Sequence, residues 1–124
     1  MKKILFAMFA VAIMFASCSK ESKLNRKLDG SWNLVTYDGA ALATGESEVV
    51  KFDKDKKGKG TLTYTATGSG LSVSFTGTYE LDKDEKITIT ITGSTANVET
   101  VVDYSKTDLT IKDTAGKLSV YKKM

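Results

Sequence analysis

From Leu71 to Leu81 the chain reads Leu-Ser-Val-Ser-Phe-Thr-Gly-Thr-Tyr-Glu-Leu, apolar at every odd position but Gly77 and polar at every even one. Lys86-Ile-Thr-Ile-Thr-Ile-Thr92 repeats the rhythm. Such alternation puts one face of a strand into a core and the other into water. Followed along the chain, it predicts eight strands, near 31–37, 46–53, 60–66, 71–81, 86–92, 97–105, 107–112 and 117–123. Turn-forming stretches separate them, among them Asp53 to Gly60, Thr67 to Gly70, Asp82 to Glu85 and Asp113 to Gly116. Connections this short force neighbours to pair antiparallel, because a parallel crossover takes about a dozen residues or more. The simplest arrangement is an up-and-down meander, and eight such strands close into a barrel without free edges. Ser22 to Asp29 breaks the rhythm: Leu24 and Leu28 fall four apart and Gly30 stands as a stop, which predicts a short helical turn before the first strand. The expected fold is therefore all-β, an eight-stranded antiparallel up-and-down β-barrel. A transmembrane barrel alternates too, but its strands need roughly 9–11 residues, and most here have six to eight.

The first residues obey another pattern. Met1-Lys2-Lys3 leads into an apolar run from Ile4 to Ala16 with no charge, the parts of a secretory signal. That run is too short for a spanning helix, which takes about 20 residues. It ends at Phe15-Ala16-Ser17-Cys18, which resembles the lipobox of Bacteroidetes-type lipoproteins, with Phe15 in place of the usual Leu. The resemblance implies cleavage before Cys18 and lipidation of that thiol. One acyl chain holds a protein only marginally, while two or more anchor it. The expected organisation is a signal peptide over 1–17, a lipidated Cys18 with its tether to residue 27, and the barrel over 28–124. The expected location is the outer membrane, on its periplasmic face or at the cell surface, with the membrane as a partner through the lipid. Cys18 is the single cysteine, so no intramolecular disulfide supports the fold.

Without Lys2 and Lys3, 16 basic groups face 15 acidic ones, a balance that predicts no nucleic-acid partner. Histidine is absent. The Ser-His-Asp arrangement is thus impossible and the commonest general base is missing, so no enzymatic activity is expected. Ser119 and Lys122 have a Ser-Lys spacing, but residues three apart on a strand point to opposite faces. Asp53-x-Asp55 starts like a calcium loop, yet its fifth and twelfth positions are Lys57 and Tyr64, where oxygen ligands are needed. No metal or other cofactor is expected.

At the first strand stands Leu28-Asp-Gly30-Ser-Trp32, a Gly-x-Trp opening that follows a helical turn and precedes the meander. Together with the Lys/Asp/Gly hairpin after Phe52 and the late Leu109-Thr-Ile-Lys112, it resembles the lipocalin superfamily, most closely the small lipocalin-like lipoproteins of Bacteroidetes. The resemblance spans about residues 24 to 123. In lipocalins the Trp packs against an Arg beyond the last strand; this chain ends Tyr121-Lys-Lys-Met124, and a lysine stem could cover the indole instead. Related fatty-acid carriers grip a carboxylate with an Arg-x-Tyr pair in the final strand, and here Ser119 stands where that Arg would be.

Barrels of this size either fill with side chains or leave room for one small ligand. Trp32, Leu34, Phe52, Tyr64, Phe75, Tyr79, Ile89 and Tyr104 are the expected interior, and the candidates for lining a site. The same rhythm turns Val73, Val98, Val102, Leu118 and Val120 inward, and leaves room at Ala66 and Gly77. Two functions follow. The barrel binds a small apolar or amphipathic ligand, or it is a filled accessory module that meets an envelope protein, a hydrolase inhibitor being a special case. Asp113-Thr114-Ala115 matches a three-residue O-glycosylation signal that exported Bacteroidetes proteins resemble in using, which marks Thr114.

Overall fold

The computed structural model describes residues 20–124; the leader and Cys18 lie outside them. A helix over 20–28 leads into β1 (Gly30–Tyr37), β2 (Ala40–Ala41), β3 (Ser47–Lys54), β4 (Lys59–Gly68) and β5 (Leu71–Leu81). Then come β6 (Lys86–Ile91), β7 (Asn97–Tyr104), β8 (Asp108–Lys112) and β9 (Leu118–Lys123). From β3 to β9 each strand pairs antiparallel with the next, and β1 pairs with both β3 and β9, closing the cylinder. The two-residue β2 folds back on the end of β1, with Thr36 opposite Ala41. This is the closed eight-stranded meander that the alternation predicts, with β2 as an addition too short to leave a period.

The pairing register carries the alternation around the wall. Phe52 stands opposite Leu62, Tyr79 opposite Ile89, and Leu81 opposite Ile87, all on the inner face. The outer face of β4 and β5 is a lattice of Thr61, Thr63 and Thr65 against Thr78, Thr76 and Ser74. Hydroxyls bridge Thr65 to Ser74 at 3.0 Å and Thr67 to Ser72 at 2.8 Å. On these two strands a hydroxyl-covered outside and an apolar inside are the reverse of a barrel made for lipid.

The helix closes one end. Leu24 and Leu28 are fully buried in the same cluster as Trp32, Phe52, Ile87 and Leu109. Trp32 Nε1 donates to the Leu28 carbonyl at 2.8 Å, which satisfies the indole inside the core. Asn25, the only buried polar side chain among the described residues, fastens the helix to the β3–β4 hairpin. Its Nδ2 donates to the carbonyls of Lys57 at 2.7 Å and Lys59 at 3.1 Å, and its Oδ1 accepts from the Tyr79 hydroxyl. The stretch expected as tether up to residue 27 is, from Lys20 onward, instead a plug, held by two leucines and one amide. Outside the plug Lys123 lies 4.7 Å over the Trp32 ring, and its ammonium donates to the Asp29 carbonyl. A lysine thus stands where lipocalins place arginine.

Two departures from simple alternation correct the expected interior. A bulge between Val101 and Asp103 shifts β7, so Val101 is buried while Val102 is 49% exposed. Before the bulge Glu99 stands opposite Ile87 and Asn97 opposite Ile89, which turns Val98 outward. In β9 the register with β8 sets Ser119 opposite Ile111 and Tyr121 opposite Leu109, so Leu118 and Val120 face out. Gly77 opens no room either. A Cβ there would lie 2.9 Å from Ile91 Cα, because β6 crosses close against β5 at that point.

Candidate functional site

The plug and the rings above it fill the lower half of the barrel; the upper half stays open. A cavity of about 290 Å³ lies there. Phe52 and Leu62 belong to its lower wall, and Val50, Tyr64, Phe75, Ile89, Ile91, Ile111 and Tyr121 complete the mostly apolar lining. Its polar part comes from Thr95, Asn97 and Glu99. The wall is low on one side. β6 pairs with β5 only from Gly77 to Leu81, and with β7 only over four residues. The upper half of β5 therefore rises past its neighbour, with β4 as its one partner. Its inner side chains are exposed for that reason: Leu71 by 73%, Val73 by 51% and Phe75 by 48%. Phe75 lines the cavity, while Leu71 and Val73 line a shallower groove at the rim with Leu42, Glu48 and Ala66.

The charge of this region has one sign. Tyr64 donates its hydroxyl to Glu48, and burial followed by that carboxylate pushes the phenol well above its ordinary value. Burial, then the charge of Asp113, raises the Glu99 carboxyl. Asn97 Nδ2 donates to Glu99 at 3.2 Å. Tyr121 is pushed up to about 12, first by burial and then by Glu99. No lysine or arginine lines the cavity. The ion pairs among the described residues, Lys51–Asp53, Lys59–Glu80 and Lys122–Asp108, involve neither Glu48 nor Glu99.

Of the residues expected to line a site, Phe52, Tyr64, Phe75 and Ile89 reach the cavity. Trp32, Leu34 and Tyr79 are buried away from its wall, and Tyr104 packs against the core. Glu48, Asn97, Glu99 and Tyr121 escape the sequence pattern because polar residues at inward positions look like turns or faults in the rhythm. The signal for Glu48 is nonetheless present, since Glu48-x-Val50-x-Phe52 continues one face. Thr114 is exposed in the β8–β9 turn at the mouth. The Asp113 carboxylate shapes that turn by accepting from the amides of Ala115 and Lys117, each at 2.9 Å.

A closed antiparallel meander with a helix sealing one end and an apolar cup at the other defines a calyx-type barrel of the lipocalin kind. The chain belongs to the family described as the lipocalin-like domain, whose profile it matches over residues 28–111. Among solved structures it is similar to a lipocalin-like protein from Bacteroides uniformis, at 20% identity and a TM-score of 0.59. That match covers 79% of this chain and 99% of the other. No curated protein matches the chain.

Proposed function

We propose that this barrel binds one small apolar or amphipathic molecule in its open end, and does so as a lipoprotein anchored through Cys18 in the outer membrane. The observation that carries the binding reading is the cavity itself. A barrel packed for stability alone would fill its upper half, as it fills the lower one, yet about 290 Å³ stays open between apolar walls. The leader and its terminal Phe15-Ala-Ser-Cys18 support the anchor.

Titration with a neutral apolar dye such as N-phenyl-1-naphthylamine tests the binding. The dye should bind saturably at one site, and Ile89→Trp, which fills the cavity, should abolish binding while leaving the near-ultraviolet circular dichroism native in character. Absence of saturable binding, or equal binding by the filled variant, refutes the carrier. A second reading is favoured by the projecting β4–β5 hairpin, whose inner Leu71, Val73 and Phe75 lie exposed. An accessory protein would dock an envelope partner there, and Leu71→Asp would then break the complex while leaving dye binding unchanged.

A further inference from the structure

The lining of the cavity restricts what can enter it. Its volume has room for roughly ten heavy atoms, at about 30 Å³ each. Everything deep in it is apolar: Phe52, Leu62 and Ile89 offer no hydrogen bond. The polar groups gather toward the rim: the Thr95 and tyrosine hydroxyls and the Asn97 amide are neutral, and the one charged group in the lining is the Glu99 carboxyl. Glu99 faces inward opposite Ile87, and Glu48, which lines the adjoining groove at the rim, meets the cavity through the Tyr64 hydroxyl it accepts from. Tyr121 lines the cavity with Glu99, and both carboxylates raise its phenol. Asp113 adds a third carboxylate beside Glu99 from the β8–β9 turn. The nearest cation of that turn, Lys117, stands 5.9 Å over Tyr37 and does not line the cavity. A carboxylate offers about four acceptor sites, and one donor, Asn97 Nδ2, is directed at Glu99.

We infer that the ligand is a short amphiphile with a cationic head, an alkylammonium-like molecule whose tail fills the apolar cup and whose ammonium sits between Glu99 and Glu48. This rests on the carrier reading of the same cavity and goes beyond it by fixing the sign of the head group. A fatty carboxylate of equal length would bring a further negative charge against these acids, with no lysine or arginine in the cavity wall. A neutral alcohol would keep the tail contacts and one hydrogen bond. An ammonium has three donors and the matching charge.

Competition against the neutral dye at pH 8 separates these heads. Octylamine, octanol and octanoate share a tail near the size of the cavity and differ in charge. Octylamine should compete about tenfold or more better than octanoate, with octanol between them; a unit charge pair near a protein surface readily supplies that factor. Glu99→Gln keeps the shape of the side chain and should remove most of the advantage of octylamine over octanol. Glu48→Gln is the independent second variant and should act in the same direction. If octanoate competes as well as octylamine while the dye still binds, the cationic assignment is overturned and the carrier survives. An amine preference that persists in both variants overturns the assignment equally. If dye and octanol both fail to bind, the carrier reading itself falls, and the cationic head with it.

Discussion

Asn25 is the side chain whose removal should do most harm for its size. It is fully buried, and three hydrogen bonds join the plug helix to the barrel through it. The cost of Asn25→Ala follows from which partners are left stranded. The Lys59 carbonyl also accepts from the Asp55 amide at 2.9 Å, so it stays paired. Among the described residues, the Lys57 carbonyl and the Tyr79 hydroxyl have no other partner; the hydroxyl becomes an unsatisfied group in the core, while the part-buried Lys57 carbonyl keeps access to water. A stranded polar group costs about 1–3 kcal/mol, so the hydroxyl, with about 1 kcal/mol more for the lost bonds to the part-buried carbonyls, predicts a loss of about 2–4 kcal/mol. For a domain of this size that lowers the melting temperature by about 10 °C or more. Tyr79→Phe keeps both carbonyls paired but leaves the buried Asn25 Oδ1 without its donor, and should cost about 1–2 kcal/mol. The double variant should lose less than the sum of the singles by about 1 kcal/mol, because the two side chains share a bond. Urea unfolding of the four proteins measures every term. Additive losses, or an Asn25→Ala cost below about 0.5 kcal/mol, would show that the amide is not the fastening and that Leu24 and Leu28 hold the plug alone.

Other expectations follow from single positions. Gly77→Ala drives a methyl into the β6 backbone at Ile91 and Thr90, and should destabilise the barrel by about 1–3 kcal/mol in urea unfolding, as overpacking does. Lys123→Ala uncovers the Trp32 ring and should cost about 1 kcal/mol, with Lys123→Met recovering part of it through the stem; Trp32 is the single tryptophan, so its fluorescence reports the change directly. Glu99 has a folded-state pKa above its ordinary value near 4.5, so between the two values the folded state holds a proton that the unfolded chain has lost. Its contribution to stability therefore falls as pH rises through that window. Glu99→Gln should melt higher than the parent at pH 8 and equally at pH 4, and a gap that widens toward acid would contradict the burial of this carboxyl. Cys18→Ala should leave the fold unchanged and free the protein from membranes; retention on membranes in high salt would refute the lipid anchor.

Most of the barrel was legible because period two is enforced twice along each strand, once by the core and once by water. Leu71 to Leu81 and Lys86 to Thr92 could not be paired one residue out of register without putting every threonine inside. The plug was legible in part: the spacing of Leu24 and Leu28 marks a helix, but nothing in Ser22 to Lys27 announces that Asn25 is buried. An amide in a polar run reads as solvent-facing, and only the hairpin carbonyls brought over it by β3 and β4 make it a fastener. The candidate site was the least legible part. β7 reads Asn-Val-Glu-Thr-Val-Val-Asp-Tyr, where valines at 98, 101 and 102 fit neither phase throughout. The bulge after Val101 resolves the conflict by facing Val101 and Tyr104 inward on either side of an extra residue, and Asn97 and Glu99 then share the inner face with Val101.

That resolution links the local irregularity to the binding chemistry. The alternative phase would bury Val98 and expose Glu99, a gain of apolar burial with no buried carboxyl to desolvate, and it would leave a cup with one acid fewer at its rim. The chain instead exposes Val98 by 46% and keeps Glu99 against Tyr121. Register across the short β6–β7 pairing decides between the phases, since Ile87 and Ile89 must face Glu99 and Asn97 there if Val101 is to reach the core below. A deletion tests this directly. Removing Val102 erases the extra residue and lets Val101, Asp103 and Tyr104 meet Ile111, Thr110 and Leu109 in regular register, with Glu99, Val101 and Tyr104 still inward. The deletion should therefore be tolerated, at a cost below about 1 kcal/mol in urea unfolding and with dye binding intact. If it instead costs as much as deleting a core side chain (about 2–5 kcal/mol) or abolishes dye binding, the bulge does not set the phase that turns Glu99 inward.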